Sequence, residues 1–530
     1  MRTRFDSWQS LDRSGPWRSR LSPRPLPGDP APSTGTFWAL LLALGSGPVL
    51  NAAFPALGLW PLSFLGMGMI LWAIQGRGFW AGTGLGMLAG LGFYLSHVAW
   101  TALYLGPIPW LALSTLEAIF FALGCGLIAV AYRLVPRAWP GRSGQFLLPV
   151  IIAALWVTRE YIAGNWPYGG FAWGRLALAH SESPFAALAS WLGVSGLSFI
   201  IALIAASAVA LLRSGVLATP ARLLLPALLV AALGAVPVFA VEQVGTSRIA
   251  AVQGNGKAGY FDERDPGDVL SAQIQATLPL QNDAVDMVVW PENGTDLDPM
   301  QYPEASGALN YLTALLNAPI ITGTIAEREG KFYNSSILWM PETGPETYYD
   351  KVRPIPFGEY VPDREFWTPF APDLINLIGR DYTPGTVDNI FDINGTIAAI
   401  SICFDIVDDN LLRDAVSRGA QVILAQTNNA DFGRTEENQQ QLAIARLRAI
   451  ETGRALVNIS TVGTSQMINS DGSTLAEIAP YEPGYMVENV PLHRGNTPAV
   501  VLGAALNTGI IIFAVAGVVL MLGLGRRPRR

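Results

Sequence analysis

The chain has 530 residues, 51% of them hydrophobic and 14% charged, with a net charge of −7. Soluble proteins carry about 25% charged residues, so much of this chain is expected to sit in lipid. The acidic balance, without a basic stripe in the folded region, argues against nucleic acid as a partner. Two Cys (Cys125, Cys403) and three His (His97, His180, His493) argue against a disulfide framework, a metal site and a Ser-His pair.

In chain order, residues 1–35 are rich in Arg, Pro, Ser and Gly and read as a disordered basic cytoplasmic tail. They are not a cleavable signal peptide, because the first apolar run starts near Phe37 and further runs follow. Apolar stretches of membrane-spanning length are expected at 36–54, 57–75, 79–103, 109–132, 146–163, 187–212 and 221–241, with another at 498–524. With the tail inside, Arg77, then Arg133, Arg137 and Arg142, then Arg213 and Arg222, and finally Arg526, Arg527, Arg529 and Arg530 all fall on the inner side; Arg175 is the outer exception. This organisation reads as a membrane domain of about seven helices (36–244), an extracytoplasmic domain (245–495), a C-terminal transmembrane helix (496–524) and a basic cytoplasmic end (525–530).

Within the spans, Gly82, Gly86 and Gly90 form a small-xxx-small face suited to close helix packing rather than nucleotide binding. Glu117 is an ionisable group inside the fourth span, either functional or bonded to a neighbouring helix. Cys125 reads as a small core residue.

From Arg248 onward, short β-type runs at 249–253, 287–290, 320–323, 397–402 and 422–425 alternate with helical runs at 410–418 and 437–452, which predicts one α/β domain. Three segments place reactive side chains just past strand ends: Glu292 after Trp290-Pro291, Lys351 in Tyr349-Asp-Lys, and Cys403 after Ser401-Ile402. Taken singly, such a Cys is usually a small buried hydrophobe, such a Glu a turn residue and such a Lys a solvated one. Lys351 is, however, one of three Lys in a chain that otherwise uses Arg, and Lys can hold a developing oxyanion as a compact charge.

In the order Glu, Lys, Cys, these segments resemble the nitrilase superfamily. The stretch from Lys351 to Pro362, Thr427-Asn-Asn, the helix 445–454, Trp156-Val-Thr-Arg-Glu160 and Gly170-Phe-Ala-Trp173 resemble, more narrowly, the apolipoprotein N-acyltransferase family. The resemblance covers nearly everything beyond residue 35. It implies an α-helical polytopic membrane domain joined to an α-β-β-α sandwich, in a bacterial inner-membrane enzyme whose catalytic domain faces the periplasm and whose termini are cytoplasmic. It also implies acyl transfer from a membrane phospholipid, through a thioester, to the α-amino group of S-diacylglyceryl cysteine on an apolipoprotein, with no metal or other cofactor. Nothing calls for more than a monomer.

By the same resemblance Cys403 is the nucleophile and Glu292 the general base. Lys351 and the Phe404 backbone N–H hold the oxyanion. Glu359 orients Lys351 or the amine, and Asp405 takes a supporting place, as does Asn428. Trp173 and an apolar lid containing Trp367 and Phe370 contact substrate. The chain departs from the family at Phe404-Asp405 (commonly Tyr-Glu), at Asp431 (an aromatic) and at Ala172 (Pro). The triad itself leaves two other readings open: a membrane-anchored amidase acting on a small substrate, and a noncatalytic receptor or transporter with a degenerate enzyme domain.

Overall fold

A computed structural model describes residues 32–213 and 221–525. The expectations for the N-terminal tail up to residue 31, for the Arg222 side chain and for the four arginines from Arg526 on lie outside the described residues.

The apolar runs fold as α1 (Thr36–Asn51), α2 (Pro61–Ile74), α3 (Phe79–His97), a short α4 (Thr101–Leu105), α5 (Pro107–Ala138), α6 (Arg142–Ala163), α7 (Leu188–Arg213) and α8 (Ala221–Gly234). Among the described residues four helices, α5, α6, α7 and the C-terminal Pro498–Leu524, are long and apolar enough to cross a membrane; α1, α2 and the part of α8 from Leu224 are shorter. Leu224, Leu225, Leu228 and Leu229 on α8, and Val501, Ile512, Val515 and Val519 on the C-terminal helix, stay exposed, as side chains facing lipid do.

Several expected limits move, for local reasons. The third run stops at His97, and Gly106, at φ +84°, breaks the chain again before Pro107 opens α5. α5 then continues to Ala138 through Arg133 and Arg137, both good helix formers, and ends where Trp139 precedes Pro140. The seventh run ends at Gly234, and the first strand begins at Glu242, three residues before the expected boundary.

Close packing explains the glycine face. A Cβ on Gly82 would lie 2.6 Å from Ala129 Cβ, one on Gly86 2.5 Å from Cys125 Cβ, and one on Gly90 3.0 Å from Ala118 Cα. α3 therefore lies directly on α5, and Cys125 fills the contact. At one end of the bundle Arg213 Nη1 donates to Gln75 Oε1 (2.6 Å) and Arg77 Nη2 to the Thr34 carbonyl (3.0 Å), so connections rich in arginine meet there.

The rest of the chain forms two six-stranded sheets. One has the order β12-β1-β2-β3-β4-β5, from Gly484–Arg494, Glu242–Gln253, Met287–Val289, Ile320–Arg328, Lys331–Met340 and Gly344–Asp350. The other has the order β11-β10-β9-β8-β7-β6, from Thr474–Ile478, Ser465–Ile468, Ala455–Ser460, Val422–Thr427, Thr396–Ile402 and Ile390–Ile393. Each has a parallel centre (β1, β2, β3 and β7, β8, β9) with antiparallel flanks. Strand alternation sets the layers. Ile249 and Ala251 face Val422, Leu424 and Val457 between the sheets, whereas Ala250 and Val252 turn outward with Leu309 and Leu312 of a helix at Pro303–Leu316.

On the other side, Ile423, Ala425 and Leu456 pack under helices Asp409–Ser417 and Glu437–Thr452, in a core continuous with the membrane helices. The α-β-β-α sandwich thus shares one helix layer with the bundle. This explains why the Glu437–Thr452 helix, polar on most faces, is buried everywhere except at Gln439. Arg175, expected on the outer side, sits at the same junction and makes a two-pronged contact with Asp409 (2.9 and 2.8 Å).

Candidate active site

Three strand ends converge. β2 ends at Val289, and Pro291-Glu292 passes so close to β3 that a Cβ on Gly323 would lie 2.6 Å from the Pro291 carbonyl oxygen, which requires glycine there. β5 ends at Asp350, and the Lys351 N–H donates to the Asn334 carbonyl of β4 (2.8 Å). β7 ends at Ile402, and Cys403 opens a single 3-10 turn at φ +50°, a strained conformation for a residue with a Cβ and one common at functional positions.

Glu292, Lys351 and Cys403 come together, each buried. Lys351 Nζ lies 2.8 Å from Glu359 Oε2 and 3.9 Å from Glu292 Oε1, yet makes no aligned hydrogen bond among the described residues. Its donors remain available. Asn334 Nδ2 donates to both Glu292 Oε1 (2.7 Å) and Glu359 Oε1 (2.8 Å), and the Ile355 N–H donates to Glu359 Oε2 (2.7 Å). The Cys403 thiol lies beside the Glu292 carboxyl and receives Gln441 Nε2 at 3.8 Å.

The electrostatics oppose a resting thiolate. Burial, then the Glu292 charge, push the Cys403 thiol well above its ordinary value, and Lys351 only partly offsets them. Burial also raises the Glu292 carboxyl, against the pull of Lys351. Burial pulls the Lys351 ammonium down, but Glu359, Cys403 and Glu292 outweigh it, and Lys351 stays charged above the usual lysine range. The arrangement is a neutral thiol beside a proton acceptor poised above ordinary carboxylates, with a fixed cation opposite.

The supporting residues occupy distinct places. Asp405 is fully buried, accepts from Tyr349 Oη (2.8 Å) and the Ile402 N–H (3.2 Å), and burial raises it to about 7. Phe404 stacks on Trp173 at 6.1 Å and 4° and on Phe171 at 5.9 Å and 14°. Asn428 donates to the Ala258 carbonyl (2.9 Å) and accepts from Thr461 Oγ1 (2.5 Å). At the position where the sequence lacks an aromatic, Asp431 accepts the Tyr260 N–H (2.6 Å), while the next residue, Phe432, packs on Trp100 at 4.9 Å.

The motifs do not disclose Asn334, Glu437 and Gln441, and Asn429 enters them only as the last residue of Thr427-Asn-Asn, without a role. Asn429 Nδ2 donates to Glu437 Oε2 (2.9 Å) and Gln441 Oε1 (2.8 Å), tying a further buried carboxyl to the side chain that touches Cys403. Burial raises Glu437 to about 8. The available signal was Glu437 and Gln441 at i and i+4 on a helix with too few apolar positions to bury itself.

Glu292, Lys351 and Cys403 line one cavity of about 1220 Å³, which continues between α4, α5 and the end of α6. That exceeds the usual range of small-ligand pockets. Trp367 and Phe370 line it too, in the short helix Arg364–Trp367 and just after it; Trp367 meets Phe357 at 5.6 Å, and Phe370 is 72% exposed.

Residues 46–207 match the family model described as apolipoprotein N-acyltransferase N-terminal domain, and residues 231–496 match the carbon-nitrogen hydrolase model. The chain is 31% identical to an apolipoprotein N-acyltransferase of Mycolicibacterium smegmatis, over 90% of this chain and 84% of that protein. It is 29% identical to one of Shewanella oneidensis, over 93% of this chain and 96% of that protein. Among solved structures it is similar to an amidase from Nesterenkonia sp., at 18% identity and a TM-score of 0.36, covering 48% of this chain and 93% of that one.

Proposed function

The chain belongs to the apolipoprotein N-acyltransferase family, and from that membership we propose that it moves a fatty acyl group from a membrane phospholipid to the α-amino group of S-diacylglyceryl cysteine at the N-terminus of apolipoproteins. One observation carries the reading: Glu292, Lys351 and Cys403 sit together in a large cavity that continues among membrane helices. A water-soluble substrate has no need of that extension.

In the first half-reaction Glu292 takes the thiol proton as Cys403 Sγ attacks the ester carbonyl. Lys351 Nζ and the Phe404 N–H receive the negative charge on the carbonyl oxygen. The carbon–oxygen bond to glycerol then breaks, Glu292 returns the proton to the leaving oxygen, and lysophospholipid departs from a thioester. In the second half-reaction the α-amino group attacks that thioester, Glu292 takes an amine proton, the carbon–sulfur bond breaks and the thiol recovers its proton. Glu359 holds Lys351 in place, and Asp405 and Asn428 support the loops on either side. Trp173 braces Phe404, while Trp367 and Phe370 form a lid over the lipid entrance.

The inner side of the bundle is assigned by Arg77, Arg133, Arg137, Arg142 and Arg213. This pattern supports a catalytic domain on the periplasmic face of a bacterial cytoplasmic membrane, with both termini inside. A monomer contains the whole site.

The test is to incubate purified protein with phospholipid and a synthetic S-diacylglyceryl-cysteinyl peptide. A gain of one acyl mass on the free-amine peptide is expected, with none on an N-acetylated control and none with Cys403→Ala. Release of fatty acid to water with the peptide unmodified would contradict the acyl-transfer reading.

A further inference from the structure

The cavity that holds Cys403 carries cations that the chemistry above does not use. Lys351, Arg264 and Arg380 all line it. Lys351 is matched by Glu359 and Glu292. Arg264 and Arg380 are partly exposed, and among the described residues neither forms an ion pair. A charge drawn back from water normally meets an opposite charge, and here the chain supplies none in contact.

The fold brings the two arginines to one side of the cavity. Arg264 lies in the loop after β1, where its Nη1 donates to the Gly259 carbonyl (2.6 Å). Arg380 follows the short helix Pro372–Leu377 of the lid segment. Tyr260 joins the two loops, because its Oη accepts the Gly379 N–H (3.2 Å). Asp431 holds the Tyr260 N–H from the other side; it lies within electrostatic reach of Arg264 without contacting it. The Arg380 guanidinium rests against the Phe332 and Tyr382 rings, at 5.6 and 5.4 Å from their centroids, contacts that orient it without neutralising it. The Tyr382 N–H donates to the Glu359 carbonyl (2.9 Å), so Arg380 hangs beside the residue that holds Lys351.

We propose that Arg264 and Arg380 hold the phosphodiester of the acyl-donor phospholipid and select it over a neutral glyceride; this rests on the acyltransferase reading above. A phosphodiester accepts guanidinium N–H groups in pairs, which suits the planar fork of arginine. In a glycerophospholipid it stands one glycerol away from the ester that Cys403 attacks. The same cavity offers apolar carbon for the acyl chain at Ile108, Leu113 and Leu116 of α5. With the phosphate at the arginines and the chain along α5, the ester is directed toward Cys403.

The experiment gives purified protein in detergent an equimolar mixture of dipalmitoylphosphatidylglycerol and dipalmitoylglycerol, the glyceride with deuterated chains. The two acyl masses on the Cys403 peptide are then compared by mass spectrometry. Wild type should carry mainly the chain of the phospholipid. Arg264→Gln and Arg380→Gln should each lower the ratio of phospholipid to glyceride adduct about tenfold. Arg380→Lys, which keeps the charge and loses the fork, should fall between. Damage to the fold alone slows both donors together and leaves this ratio unmoved. An unchanged ratio in both glutamine variants overturns the inference, as does a wild type that takes the two lipids equally. Inorganic phosphate that slows both donors alike, in wild type and not in the glutamine variants, would assign the arginines to a free anion and also overturn it. Neither chain on wild-type Cys403 would overturn the acyltransferase reading and this inference with it.

Discussion

Lys351 Nζ lies 2.8 Å from Glu359 Oε2, and that contact fixes a cation opposite Cys403 without using up its hydrogen bonds. Glu359 does this while accepting from Asn334 Nδ2 and the Ile355 N–H. A glutamine at 359 must turn an amide N–H toward one of these donors or toward the ammonium. Glu359→Gln should therefore lower the acylation rate, and Lys351→Ala should lower it further, by on the order of 10²–10³, the usual cost of one oxyanion donor. Single-turnover acylation of Cys403 measures both. Equal rates in Glu359→Gln and wild type would separate Glu359 from the catalytic group.

The acid limb of the pH profile should belong to Glu292. Burial raises its carboxyl, so protonation removes the base at a higher pH than an ordinary Glu would require. The acylation rate is expected to fall as pH drops through this raised value. A rate level down to the ordinary carboxylate range, about pH 4.3, would mean that another group takes the thiol proton.

Stability should respond to Glu437 with the opposite pH sense. Its folded pKa, about 8, lies above the unfolded value, so the native state binds the proton more tightly. That contribution is complete below the unfolded pKa and is lost as pH rises through about 8. Glu437→Gln keeps an oxygen for Asn429 Nδ2 and cannot ionise. Its Tm should match wild type near about pH 4, below the unfolded carboxyl value, and exceed it near about pH 8.5, as read by intrinsic fluorescence in detergent. No divergence with pH would indicate that Glu437 ionises freely in the fold.

Gln440 joins the catalytic domain to the bundle. Its Oε1 accepts from the indoles of Trp100 (3.1 Å) and Trp173 (2.6 Å), and its Nε2 donates to the His97 carbonyl (3.1 Å). Gln440→Ala leaves two buried indole N–H groups unpaired, at about 1–3 kcal/mol each. Tm should fall by several degrees, and acylation should fall with it because Trp173 stacks on Phe404. An unshifted Tm would show that water replaces the amide.

The lid should behave differently. Phe370 is 72% exposed and Trp367 only partly buried, so Trp367→Ser with Phe370→Ser should leave Tm within about 2 °C while raising the KM for phospholipid severalfold. Unchanged use of phospholipid would remove the lid from the account.

Sequence and fold agree where one chain period decides. Alternation across 249–253 and 422–425 sorts inward from outward side chains, and the helix at 437–452 lies where its run predicts. The hairpin of β3 and β4 closes on Glu329-Gly330, both at positive φ, a two-residue turn that Glu signals poorly beside Gly. Glu292, Lys351 and Cys403 stand out through their motifs. Asn334, 42 residues from Glu292 and 25 from Glu359, carries no motif and acquires its place only when β4 pairs. The burial of the Glu437–Thr452 helix is not legible for a related reason: its polar faces are answered by Asn429, Trp100, Trp173 and Ile406, partners that only the folded junction supplies.

The most direct measurement weighs the Cys403 peptide after purified protein has met phospholipid alone. A fatty-acyl mass on Cys403, released by neutral hydroxylamine and missing in Cys403→Ala, is the result expected of a thioester-forming enzyme. A folded protein whose Cys403 gains no acyl mass from a range of phospholipids would contradict the account.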